Sequence, residues 1–113
     1  MRRGEIWTIS GGADYAGEPR PSVIVQDDHF DATDSVTICA FTTDPTEAAL
    51  FRILAEPSER NGLRVPSSLM VDKLTTVPKR KVGSRVGRLD DEDLVRLNRA
   101  IVVFLGLAGS SRS

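Results

Sequence analysis

For most of its length this chain sets apolar residues in short runs between glycine, proline and aspartate. Only after Asp90 does the spacing become that of a helix. Glu5-Ile6-Trp7-Thr8-Ile9 reads as a strand that stops at Ser10-Gly11-Gly12. From Ser10 to Pro19 there is no apolar run, which predicts a loop of about ten residues against the roughly 4–6 of an ordinary connection. Such a loop suits binding as well as it suits plain surface mobility. Over Pro21 to Gln26 the unbroken Val23-Ile24-Val25 predicts a central strand buried on both faces, and the mostly polar Asp27–Asp31 a turn or single helical turn.

Ser35 to Thr43 is the clearest strand, with Val36, Ile38 and Ala40 alternating against Thr37, Cys39 and Phe41 until Asp44-Pro45 ends it. Phe51 to Ala55 predicts another strand and Pro57 to Gly62 a turn. Ser68 to Val77 reads as one strand with Asp72-Lys73 in its middle, and Lys81 to Leu89 as a last, glycine-marked strand.

Leu94, Leu97, Ile101, Phe104 and Leu105 then fall on one face of a helix. Asp90 suits its N-cap, Asp91, Glu92 and Asp93 suit the positive end of its dipole, and Gly106 and Gly109 end it. Val102 and Val103 widen the apolar face, which fits either a well-covered core helix or a dimer interface. Strands followed by one helix predict a mainly β (α+β) fold, an antiparallel, partly closed sheet with the helix packed on it. We expect a single domain over residues 1–108 and a flexible tail over 109–113.

Composition narrows the function. At 113 residues the chain holds one hydrophobic core. With 15 basic and 16 acidic residues, any attraction to a polyanion must come from a local patch. One cysteine and one histidine, Cys39 and His29, exclude an intrachain disulfide, a multi-cysteine zinc site and a histidine pair for acid–base catalysis. The opening Met-Arg-Arg-Gly-Glu-Ile-Trp has no apolar leader, and no segment approaches the roughly 20 apolar residues of a membrane span. The expected location is the cytoplasm. No nucleophile elbow, P-loop or dinucleotide-binding motif is present.

RNA cleavage survives these exclusions because RNA carries its own nucleophile, the 2′-hydroxyl. A protein need only position the strand, neutralise the phosphorane and manage two protons. Arg20, held between Pro19 and Pro21, is either a solvated arginine at a strand start or a guanidinium able to fork onto a phosphate. Thr42 and Thr43 end the strongest strand, either for β-propensity or to donate to phosphate oxygens. Strand alternation sends Asp72 and Lys73 to opposite faces, as an edge salt bridge or as an acid beside Arg20. Lys79, Arg80, Lys81, Arg85 and Arg88, with no acid among them, are either a solvated face or the footprint of a polyanion. Trp7 and Phe41 could stack bases or pack the core, and His29 lies in an acidic loop.

Arg3-Gly4-Glu5-Ile6-Trp7, a glycine loop, Arg20-Pro21-Ser22-Val23-Ile24-Val25 and Phe41-Thr42-Thr43 follow one another in the first half of the chain. Val71-Asp72-Lys73-Leu74-Thr75-Thr76-Val77 and Val86-Gly87-Arg88-Leu89 follow before the helix. In this order and spacing the chain resembles the MazF/PemK (Kid) toxin family from about Arg3 to Leu107. The resemblance implies an SH3-like, partly open barrel of about five to seven strands with a C-terminal helix (CcdB/PemK-like). It also implies a homodimer and metal-independent, sequence-selective cleavage of single-stranded RNA to 2′,3′-cyclic phosphate and 5′-hydroxyl ends, with no cofactor. A cognate MazE-like antitoxin would neutralise the toxin by folding across its RNA groove.

By position the resemblance assigns catalysis to Arg20, Thr42 and Asp72, with Thr43 beside them; Thr43, Lys73 and, from the basic run, Lys79, Arg80, Lys81 and Arg85 are expected to bind RNA. The chain departs from the family pattern with Lys73 where glutamine is common, Met70 where some members carry a second arginine, and Pro19 in the loop. A rival reading is a CcdB-like toxin that binds DNA gyrase and cleaves nothing; the Arg20 and Thr42 motifs, and an end without the tryptophan of that branch, argue against it. A catalytically dead RNA-binding barrel is a third.

Overall fold

The computed structural model describes residues 1–10, 19–44 and 51–109. Most of the loop expected over Ser10–Pro19, and the tail expected beyond residue 109, lie outside them. Among the described residues seven strands precede one helix: β1 (Glu5–Ile9), β2 (Arg20–Ile24), β3 (Ser35–Thr42), β4 (Arg52–Ala55), β5 (Ser67–Met70), β6 (Thr75–Pro78), β7 (Val82–Arg88) and α1 (Asp91–Phe104). All the pairings are antiparallel, in the order β4-β5-β3-β2-β1-β7, with β6 also on β3.

β3 organises the sheet. One edge takes β2, with Ser22 level with Ala40 and Ile24 with Ile38. The other edge takes β6 along Ser35–Ile38 and β5 at Phe41 and Thr42. From Ile38 to Phe41 β3 advances three residues, while its partner runs back from Thr75 to Leu69. The surplus is taken up by a 3-10 turn, Val71–Lys73. The single strand expected over Ser68–Val77 is therefore two strands with a break. A ladder cannot hold three extra residues in register, so the chain leaves the pleat there. Val71, fully buried, anchors the break in the core. Asp72 and Lys73 consequently do not alternate across a strand.

Alternation elsewhere sorts the core onto two faces. Ile6, Val23, Cys39, Phe41, Leu69 and Val71 pack with Leu97 of α1, and Ile9, Ile24, Val36 and Ile38 form a second cluster against which Trp7 and Val77 lie. The unbroken apolar run of β2 serves both clusters, as expected. Phe41 is buried in the first cluster, and the Trp7 indole N–H donates to Glu5 Oε1 at 3.0 Å, so both aromatics pack.

Asp90 stands at the N-cap of α1 but makes no side-chain cap bond. Its carboxylate instead accepts from Ser58 Oγ at 2.8 Å and Asn61 Nδ2 at 3.0 Å. Asn61, fully buried, also accepts from the N–H groups of Ser58 and Leu63. The turn before β5 is thereby pinned to the start of the helix. Gly62, with φ +70°, has the Val86 carbonyl where a Cβ would stand. At the other end of α1, Val103 and Leu105 are 67% and 52% exposed, so the apolar face is uncovered there in the single chain. Among the described residues no helix is long and apolar enough to cross a membrane.

Candidate active site and nucleic-acid interface

The site grows from the end of one strand pair. Arg20 opens β2 level with Ile9 of β1, and Thr42 closes β3 level with Ser68 of β5. Continuing the Ser22–Ala40 register by two residues sets Arg20 level with Thr42. A step of two keeps a strand residue on the same face. By this parity Arg20 and Thr42 belong to the face of Ser22 and Ala40, on neighbouring strands.

On that face lies a hollow of about 150 Å³, lined by Ser22, Ala40 and Ile38 as its floor and by Met70, Lys73, Thr75 and Lys81 among its walls. No carboxylate lines it among the described residues. The Thr42 hydroxyl accepts the Asp44 N–H at 3.1 Å, so its own proton points elsewhere and can be donated to a ligand oxygen. The side chains of the two lysines make no hydrogen bond or ion pair to another described residue, while the Lys81 carbonyl accepts the Ser10 N–H at 2.8 Å. The result is a cationic, hydroxyl-bearing recess beside a guanidinium, a setting that favours a phosphate-bearing chain.

The remaining residues expected at the site divide. Lys73 and Lys81 line the hollow and Arg80 is exposed nearby in sequence. Lys79 is drawn onto Asp31, donating to its carbonyl and reaching its carboxylate at 3.3 Å. Arg85 pairs with Glu5 at 3.5 Å, and Arg88 donates to the Arg3 carbonyl at 3.2 Å. The basic run is thus only partly a free footprint. Burial pushes the Glu5 carboxyl up, but the Arg2 N–H, the Trp7 indole and Arg85 outweigh it and hold it below the usual range.

Thr43, one residue past Thr42, lines a different hollow with Thr8, Pro21 and Arg64. Asp72 is not brought into the recess. Its carboxylate lies 3.4 Å from Arg52 of β4, both side chains largely covered and too poorly aligned for a hydrogen bond. The 3-10 turn is what separates the neighbours, Asp72 toward Arg52 and Lys73 to the hollow. Cys39 lies in the core near that pair. Burial, with a smaller contribution from Asp72, pushes its thiol up to about 12, which removes it as a nucleophile. His29 is exposed and bound to Asp27 at 2.6 Å.

Sequence reasoning missed Ser22 and Thr75 as lining residues. Ser22 had one signal, the same strand parity as Arg20, which an apolar neighbourhood concealed.

The protein is of the class of small open antiparallel sheets with one C-terminal helix, and carries a cation-rimmed recess on the face of its central strands. Its fold matches an endoribonuclease solved with its cognate antitoxin from a mycobacterial species, with TM-score 0.80 at 21% identity, covering 97% of this chain and 99% of that one. It also matches the Mycobacterium tuberculosis toxin MazF-mt6, with TM-score 0.76 at 23% identity over 91% and 97% of the two chains. Residues 2–105 match the family described as PemK-like, MazF-like toxin of type II toxin–antitoxin system, and the chain belongs to that family. It is 55% identical over 109 residues to a probable endoribonuclease MazF of Mycolicibacterium smegmatis, covering 96% of this chain and all of that protein.

Proposed function

We propose that the protein is a toxin endoribonuclease that cuts single-stranded RNA by transesterification at the end of β2 and β3. Family membership and the 55% identical relative, itself named as a probable endoribonuclease, support the activity. The observation that supports the site is the Ser22–Ala40 register, which extended by two residues would bring Arg20 level with Thr42, on the face of the recess holding Lys73 and Lys81.

In this reading the 2′-oxygen of one ribose attacks the adjacent phosphorus and the P–O5′ bond breaks, leaving a 2′,3′-cyclic phosphate and a 5′-hydroxyl. Arg20 stabilises the phosphorane by charge and paired hydrogen bonds. Thr42 donates to a non-bridging oxygen while Asp44 holds its lone pair. Water takes the 2′-proton and supplies the one that O5′ requires. Asp72 acts from behind, through Arg52, by holding the turn that presents Lys73. Lys81 and Arg80 draw in the strand, with Thr43, Lys79 and Arg85 at its margin.

The toxin works in the cytoplasm as a homodimer, and an antitoxin with an acidic segment covers the same cationic recess. A relative of the fold solved with its cognate antitoxin supports that partner. Nothing favours the gyrase-binding alternative over these motifs. Arg20→Ala should retain the circular-dichroism spectrum and lose RNA cleavage; a variant that still cuts at the wild-type rate refutes the assignment.

A further inference from the structure

The recess has more hydrogen-bonding capacity than a phosphate uses. Ser22, Thr75, Lys73 and Lys81 line it with side-chain donors that make no hydrogen bond or ion pair to another described residue, Lys73 and Thr75 being exposed to solvent. Side-chain donors that the fold itself does not use are available to a ligand. The walls between them, Ile38, Ala40 and Met70, are apolar and suit the flat face of a ring. At about 150 Å³ the space is below the roughly 300–1,000 Å³ of drug-sized ligand sites, and takes one ring system. Ser22 and Ala40 lie two residues, about 6.7 Å, along their strands from Arg20 and Thr42, about the reach from a phosphate to the base of the adjoining nucleotide.

We infer that this recess seats the base flanking the cut, that it prefers a base edge bearing carbonyls, uracil over cytosine, and that Lys73 determines the preference. The inference rests on the RNA-cleaving reading of the site. Lys73 and Lys81 only donate hydrogen bonds, so they suit a base edge bearing carbonyls and oppose one bearing an amino group. Cytosine and adenine present amino donors where uracil and guanine present carbonyl acceptors. Lys73 is placed there by the 3-10 turn, whose other face is tied down through Val71 in the core and Asp72 on Arg52.

The test compares short RNAs differing only by uracil or cytosine beside the cut, for the wild type and Lys73→Met, which keeps the stem and removes the charge. Wild-type protein should prefer uracil about tenfold or more in kcat/KM, and Lys73→Met should reduce that ratio to near one while still cutting. An unchanged uracil preference in Lys73→Met, or its absence in the wild type, overturns the inference. Binding of the same oligonucleotides carrying 2′-O-methyl groups, which cannot be cut, gives the second readout. If the wild type cuts no RNA but binds uracil selectively through Lys73, the cleavage reading fails and the recess stands. If it cuts RNA without base discrimination, the recess assignment fails and the cleavage reading stands.

Discussion

At the scale of single residues, the chemistry depends on how each side chain's bonding is divided. Thr42 illustrates this: the Asp44 N–H takes a lone pair of its oxygen and leaves the proton to donate. Thr42→Val keeps the shape and removes that donor. We expect kcat/KM for RNA to fall about 10²-fold, the scale of losing one transition-state donor, with Thr42→Ser recovering most of it. A fully active valine variant would remove Thr42 from the mechanism. His29 offers a second check. Its hydrogen bond to Asp27, with their attraction, raises its pKa above the ordinary 6.5, and Asp27 is correspondingly lowered. Whatever stability the pair gives is fully present below the unfolded histidine value and is lost as pH rises through the raised one. A proton NMR titration should place His29 above 6.5, with Asp27→Asn returning it toward that value.

Elements tell how much was legible in advance. Alternation in Ser35–Thr43 and the double-sided run at Val23–Val25 located β3 and β2, because burial on one or both faces leaves a direct imprint on sequence. The break in Ser68–Val77 left none. Val71 and Leu74 are as apolar as strand residues, and the three-residue surplus exists only relative to β3, a partner more than twenty residues away. Asp72 was misplaced for the same reason. Local reading gave it a strand face, whereas the turn gave it to Arg52. Arg20 and Thr42 were singled out through motif order, whereas their common strand face follows only from the β2–β3 register.

The start of α1 shows a similar redistribution. Asp90 has the residue type of an N-cap but acts as a latch for Ser58 and Asn61. Asp90→Ala should cost about 1–3 kcal/mol, since the buried Asn61 amide loses an acceptor. Thermal melts should show a loss of several degrees. An unchanged melting temperature would mean that the latch is dispensable.

For the whole molecule, the distribution of apolar surface separates two regions. The first core, around Leu97, is closed within the chain, whereas the distal half of α1 leaves Val103, Leu105 and Leu107 more than half exposed. Apolar surface gathered in this way marks an association face, and the proposed homodimer supplies a second copy to cover it. Val103→Asp should leave the circular-dichroism spectrum unchanged and shift sedimentation toward the monomer. A stable dimer in that variant would put the interface elsewhere.

The proposed function joins these scales: Arg20 and Thr42, on one face of two neighbouring strands, are proposed to act beside a cationic recess. The most direct test is to incubate a long natural RNA with the wild type and with Arg20→Ala and map the ends by primer extension and end-group analysis. The account predicts discrete cuts by the wild type that leave 2′,3′-cyclic phosphate and 5′-hydroxyl ends, and none by the folded Arg20→Ala protein. Wild-type protein that leaves the RNA intact, or cuts that persist unchanged without Arg20, would contradict it.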